Sequence, residues 1–453
     1  MKSREPESNR TPRGDALENE FRAMFAERSE TVRVTTAPYA AVRQRITAAR
    51  HKRRMRIGSV GVAFAMAAVG IGVWTAVPSR HQSIVQPGTT DPHVPAAILY
   101  ADGRTPIPNG PLQDAALTWL RATYKGNLSG LTVVTTFDQA VQAAATAKIA
   151  DHDAGVAVVD DRDGAVLALG GTWNRPLPIA DLMKPVLLAE AFEGGHYTPQ
   201  SKEPLDAQTH PVSLPGSPQP LVYAAAGDQT RNWPPESPTT QIDNIDVSLT
   251  RAAQMGANEP FAQLELASDM DLRSFYGFAT RAGMAKEPDL LPVASLVLGM
   301  TQQTPLAMAS VYATLSNGGF HRDPVMVAQL LGPDGRVVWI PPAVAVRVTT
   351  ANSSQQVAEV LHAALLGPTG NGLTTLQTGG ASTGAMAAAS PEETSAWVTG
   401  VDSHYVVSVG ISSEDGKGRL LPLGPDQHGG LDVGSRIAGP TWASVVRAVR
   451  SLG

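Results

Sequence analysis

The chemistry-bearing feature of this chain is an aspartate and a lysine three positions apart in residues 181–199, DLMKPVLLAEAFEGGHYTP. On a helix, this spacing places Asp181 and Lys184 on one face, one turn apart. A lysine in that position can take a proton from a neighbouring hydroxyl and activate it as a nucleophile. Asp181 has no hydroxyl, so we expect it to pair with Lys184 or to cap the start of the helix.

The segment resembles the active-site helix of penicillin-binding proteins, the serine acyl-transferases that cross-link peptidoglycan. In that family a nucleophilic serine precedes the lysine by three residues, a proline follows, and the segment ends near Tyr-Thr-Pro. Lys184, Pro185 and the ending Tyr197-Thr198-Pro199 match this pattern. The resemblance implies that Asp181 occupies the position of the nucleophile.

The second family motif, Ser-x-Asn, corresponds to residues 254–270, QMGANEPFAQLELASDM. Gly256 stands in the serine position and Asn258 remains. Glycine has no side chain to relay a proton, whereas Asn258 could hydrogen-bond a peptide amide or cap the next helix.

The third motif, Lys-Thr-Gly on an edge strand, corresponds best to ASTGAM at 381–386. Ser382 takes the lysine position, and Thr383 and Gly384 remain, so the cation that would hold a substrate carboxylate is missing. The alternative register at 377–379 also lacks the lysine.

Independently of this alignment, the motifs are absent from the whole sequence. No lysine has a serine three residues before it, no asparagine has a serine two residues before it, and no lysine precedes Thr-Gly or Ser-Gly. Loss of one member of such a catalytic unit usually costs orders of magnitude in rate. The sequence therefore favours a pseudoenzyme.

Two alternatives stay open at this point. One is an active D,D-transpeptidase or carboxypeptidase with a non-standard nucleophile, for which Ser382 and Ser295 are candidate hydroxyls. The other is a purely structural component of the cell envelope.

Other segments support the same resemblance, which covers roughly residues 130–450. Residues 304–324, TPLAMASVYATLSNGGFHRDP, resemble a scaffold helix and turn of the family. Residues 155–171 predict a hairpin, and residues 395–412 predict paired strands with alternating valines. The implied fold is α+β: an antiparallel five-stranded sheet flanked by helices, with an all-helical subdomain across an active-site cleft.

Charge and hydropathy predict how the chain is organised around a membrane. Residues 57–77 form an uncharged run of 21 residues directly after a basic cluster. This pattern predicts a single transmembrane helix with a cytoplasmic N-terminus; a cleavable signal peptide is the competing interpretation. We expect a cytoplasmic basic tail over 1–56, an extracytoplasmic linker over 78–129 and a transpeptidase-like domain over 130–453. The interval between the span and the domain is too short for the family's glycosyltransferase domain, so a transpeptidase-like module alone is expected.

The expected partners follow from the resemblance and from the charge. Residues 1–56 carry a net charge of +7 and the remainder carries −12, which argues against nucleic-acid binding. A peptidoglycan stem peptide or a β-lactam, held without a covalent bond, and proteins of cell-wall synthesis are the expected partners. The chain has no cysteine and no recognisable metal or phosphate motif, so no cofactor is expected.

Overall fold

The computed structural model describes part of the chain. The described residues are 93–147, 153–205, 245–265, 267, 270–286, 290, 296–299, 301–370, 373, 383–390, 393–415, 417–423 and 433–452. The predicted tail and the predicted span at 57–77 lie outside them. Within the described ranges, no helix combines the length and the apolar character needed to cross a bilayer.

The described elements alternate between short strands and helices. The strands are β1 Ala97–Leu99, β2 Thr132–Thr135, β3 Asp153–Asp160, β4 Val166–Gly171, β5 Leu177–Pro178, β6 Lys202–Leu205, β7 Ile245–Ser248, β8 Gln302–Gln303, β9 Phe320–His321, β10 Val327–Leu331, β11 Val337–Trp339, β12 Val346–Arg347, β13 Thr383–Ala389, β14 Ser395–Asp402, β15 Tyr405–Glu414 and β16 Leu420–Leu421. The helices are α1 Pro111–Thr123, α2 Gln139–Thr146, α3 Lys184–Glu193, α4 Leu249–Met255, α5 Glu259–Glu265, α6 Leu272–Arg281, α7 Pro305–Ser316, α8 Ala351–Leu366 and α9 Val433–Arg450, with 3-10 turns at Ala180–Met183 and Pro368–Gly370.

The central sheet has the order β13-β14-β15-β3-β4, and every neighbouring pair is antiparallel. The short strand β16 pairs with part of β15. Side chains alternate between the two faces of a strand. Val156 and Val158 accordingly pack with α2 and α9, whereas Ala157 and Val159 belong to the larger core beside α3, α7 and α8. Because helices cover both faces, these strands read as nearly continuous apolar runs.

Several predicted elements are confirmed. The hairpin predicted over 155–171 is β3 and β4, and its turn uses Gly164 at a φ of 81°. The paired strands predicted over 395–412 are β14 and β15. Helix α7 begins after Thr304, whose hydroxyl accepts a hydrogen bond from the Ala307 N–H at 3.1 Å. Local turn and capping chemistry therefore determined these elements.

Part of the predicted linker is folded into the domain. Strand β1 pairs in parallel with β2 in a second sheet of order β1-β2-β10-β11. Ile98, Ala116 and Leu120 are buried in the larger core. Residues 97–123, placed in the linker by their sequence position, thus contribute to the same core as the central sheet.

Candidate functional site

The turn that carries Asp181 is held by the central sheet on one side. The carbonyl of Pro178 accepts hydrogen bonds from the Ser395 hydroxyl and the Trp397 indole N–H, each at 2.7 Å. Both donors belong to β14, and Trp397 is fully buried. The residues entering the site are therefore fixed to the central sheet.

A second segment holds the same turn from the other side. The Ile179 and Ala180 N–H groups donate to the carbonyls of Thr301 and Gly299, at 3.2 and 3.3 Å. Ala180 has a φ of 49°, a left-handed conformation that costs a non-glycine residue free energy. Gly299 has a φ of 66°, and a Cβ there would overlap the Ala180 backbone. The surrounding contacts thus hold a strained residue directly before Asp181.

Lys184 is the centre of the site. It is fully buried at the start of α3, followed by Pro185, a residue well suited to a first helical turn. Its Nζ lies 2.8 Å from Asp181 Oδ2, 3.1 Å from Asn258 Oδ1 and 3.3 Å from the Gly256 carbonyl. An ammonium group has three N–H donors. All three have an acceptor in this structure.

Gly256 contributes its backbone instead of a side chain. It ends α4 in the left-handed conformation, with a φ of 66° and a ψ of 24°, as expected of a glycine that terminates a helix. With the backbone in this conformation, the Gly256 carbonyl accepts a hydrogen bond from Lys184 Nζ. Asn258 follows on the loop before α5, and its side-chain oxygen accepts from the same ammonium group.

The third-motif residues are placed differently. Ser382 lies outside the described residues. Thr383 begins β13, and its hydroxyl donates to Asp402 Oδ1 at 2.5 Å. Arg450 pairs with the same carboxylate at 2.7 Å. Gly384 packs against the backbone of α8. Gly384 faces α8 on one side of the sheet. The Thr383 side chain lies on the opposite side, where it joins a polar cluster with Asp402 and with Arg450 of α9.

The structure thus brings together four of the positions named from the sequence: Asp181, Lys184, Gly256 and Asn258. Strand β13 also contacts the Ala180–Met183 turn, but its Thr383 hydroxyl is committed to the cluster with Asp402 and Arg450.

Two further residues complete the surroundings and were not identified from the sequence. The Phe261 ring lies under Lys184, with Nζ 5.2 Å from the ring centroid, a cation–π contact. The buried Tyr312 hydroxyl donates to the Leu182 carbonyl at 3.2 Å. Burial raises the pKa of Tyr312 well above its usual range, and the charge of Asp181 adds to this effect. The sequence signal that could have identified Tyr312 as a site residue is a tyrosine on an otherwise apolar face of α7.

Chemically, the arrangement is a closed ion pair. A lysine that donates all its hydrogens has no lone pair with which to take a proton, and Asp181 is its counter-ion. Asp181 is the partly exposed member, with 24% of its side chain accessible. Among the described residues, no three His, Asp or Glu side chains are grouped so that they could hold a metal ion.

Comparison with known proteins gives a similarity in structure alone. No protein-family model and no curated protein matches the sequence. The penicillin-binding protein PonA1 from Mycobacterium tuberculosis is 20% identical with a TM-score of 0.55, over 70% of this chain and 84% of that one. The D,D-transpeptidase domain of a peptidoglycan glycosyltransferase from Eggerthella lenta is 16% identical with a TM-score of 0.57, over 79% and 98%.

A third similar structure is penicillin-binding protein A from M. tuberculosis, determined as its imipenem acyl-enzyme complex. It is 17% identical with a TM-score of 0.53, over 80% of this chain and 92% of that one. These likenesses agree with the family resemblance found in the sequence. The chain therefore has the fold of a penicillin-binding-protein transpeptidase domain.

Proposed function

We propose that this chain is a membrane-anchored, penicillin-binding-protein-like module of the bacterial cell envelope that binds without acylating. Its ligands are peptidoglycan stem peptides or proteins of cell-wall synthesis. The fold supports the assignment to peptidoglycan chemistry, and the apolar run at 57–77 supports the anchor.

The observation that carries the proposal is the saturation of Lys184. Serine acyl transfer needs a hydroxyl in the nucleophile position and a basic group that can take its proton. Here the position holds Asp181, and the ammonium donates to three acceptors. Attack by the carboxylate would give an anhydride instead of the ester formed by a serine. The chain has the family's fold, while Asp181 and Lys184 are engaged with each other.

Non-covalent binding is tested by calorimetric titration of the full chain, in detergent, with a peptidoglycan stem peptide. We expect saturable binding that is reversed by dialysis. Asp181→Phe places a bulky side chain at the partly exposed position of the site and should abolish binding. Arg419→Ala, a change at an exposed position, serves as the control and should bind like the unchanged chain.

The outcomes separate the three hypotheses. A covalent adduct on Ser382 or Ser295 would favour an active enzyme with a non-standard nucleophile. Absence of peptide binding in a correctly folded chain would contradict peptide recognition and, if no cell-wall protein bound either, would favour a purely structural role.

A further inference from the structure

A cavity lies at the other end of the helix that begins with Lys184. It has a volume of about 380 Å³ and lies among the last turn of α3, the segment that follows and α6. Glu190, on its wall, is six residues after Lys184, which corresponds to about 9 Å along a helix axis. The volume falls within the ~300–1,000 Å³ range typical of small-molecule sites. This cavity is separate from the Asp181 site.

One carboxylate oxygen of Glu190 lacks a hydrogen-bond donor. This oxygen, Oε2, is shielded from solvent and has no hydrogen-bond partner. Loss of solvation raises the pKa of Glu190 to about 7, an effect that the nearby Ser274 hydroxyl and the Arg281 charge only partly offset. A buried carboxylate oxygen without a donor is costly, so a donor that reached Glu190 Oε2 would relieve the deficit.

The other charged groups make the cavity acidic. Glu193 and Asp271 add two carboxylates, and Arg281 and His196 are the basic side chains on its wall. The Arg281 guanidinium lies 5.9 Å from the Phe278 ring centroid. Asp271 caps α6 by accepting from the Arg273 N–H at 3.1 Å. With Glu190 ionised, three carboxylates face the guanidinium of Arg281 and the imidazole of His196.

Apolar surface accompanies this charge. Phe278 is almost completely buried beneath the cavity, and Met270 lines it as well. A ligand with a cationic head and an aliphatic stem would match both the missing donor and the apolar wall.

We propose that this cavity binds an alkylammonium or guanidinium group, with Glu190 as its principal acceptor. The proposal does not depend on the function proposed for the Asp181 site. The cation has two possible sources, a side chain of a peptide or a free polyamine, and different probes distinguish them.

The test is a titration of two cationic probes, Nα-acetyl-lysinamide and cadaverine, against the full chain at pH 8. Ligand-observed NMR monitors the binding of each probe. Nα-acetyl-norleucinamide is the neutral control probe. We expect saturable binding of the cationic probes and none of the norleucine compound. Tighter binding of acetyl-lysinamide would indicate a peptide source, and tighter binding of cadaverine a polyamine.

The matched variants are Glu190→Gln, which removes the charge but keeps the shape, and Asp334→Asn, at an exposed hairpin turn. Glu190→Gln should weaken binding at least tenfold while its melting temperature at pH 8 stays at or above that of the unchanged chain, and Asp334→Asn should not affect binding. At pH 6, binding should weaken because Glu190, whose pKa is raised by burial, takes up a proton. Equal binding of the norleucine probe, no binding of either cation, or an unaffected Glu190→Gln variant would overturn the proposal.

Discussion

Lys184 shows what a buried charge requires of its surroundings. A buried ammonium group is tolerated only when it is paired and hydrogen-bonded. Asp181 supplies the charge, and Gly256 and Asn258 supply the remaining acceptors. In this arrangement the lysine stabilises the junction between the turn, α3 and the loop before α5.

Replacing this lysine should therefore destabilise the protein. Lys184→Met leaves the Asp181 carboxylate and two further acceptors without their donor, and we expect a loss of about 2–4 kcal/mol in the free energy of unfolding. The estimate is below that for a completely buried pair because Asp181 is partly exposed. Denaturant unfolding measures it. Lys417→Met, at an exposed position, should change stability by less than about 0.5 kcal/mol; similar values for the two variants would contradict the role given to Lys184.

The raised pKa of Glu190 makes the free energy of unfolding depend on pH in a predictable direction. Burial raises the pKa of Glu190 to about 7 in the folded protein, compared with an ordinary value of about 4.5. Between these two values the folded state binds more protons than the unfolded state, so this residue lowers stability as the pH rises from about 4.5 to about 7. Glu190→Gln removes this contribution. Its stability relative to the unchanged chain should rise across that interval, as measured by melting temperatures; a constant difference would contradict the shift.

At the scale of elements, the Ala180–Met183 turn depends on a close backbone approach. Gly299 lies against the Ala180 backbone at a φ of 66°, whereas Gly103 has the same φ and no atom within 4 Å of where its Cβ would lie. Both substitutions by alanine impose the left-handed penalty of roughly 1–2 kcal/mol. Only Gly299→Ala adds a steric clash, so we expect it to cost at least about 2 kcal/mol more than Gly103→Ala. Thermal unfolding of the pair tests this, and equal losses would contradict the clash.

The elements that could be predicted from the sequence are those specified by local patterns. The β3–β4 hairpin has a turn containing Gly164, α7 has its cap at Thr304, and β14 and β15 have alternating valines. Each of these signals lies within a few residues of the structure that it determines.

The site was only partly predictable, because some of its contacts are local in sequence and others are not. The lysine and aspartate are near in sequence, so their pairing follows from helix geometry. The contact from Lys184 to the Gly256 carbonyl joins residues 72 positions apart. The Thr383 hydroxyl bonds to Asp402, which is reached through the pairing of β13 with β14. Such contacts depend on register and backbone orientation, which local sequence does not specify.

At the scale of the whole molecule, the core extends beyond the predicted domain. A chain beginning at residue 130 would lack β1 and α1 and expose their partners in the core, among them Val133 and Phe137. We expect such a chain to lose cooperative thermal unfolding, whereas one beginning at residue 93 should unfold in a single transition. Circular dichroism compares them; equal cooperativity would show that residues 93–129 are dispensable.

The domain has the fold of a penicillin-binding-protein transpeptidase domain, and we propose that it forms no acyl-enzyme. The most direct measurement is the intact mass of the full chain after prolonged incubation with penicillin V. Our account predicts an unchanged mass, because the Asp181 position has no hydroxyl and Lys184 is fully engaged. An added mass equal to that of the β-lactam would contradict it, and peptide mapping of the modified residue would then locate the true nucleophile.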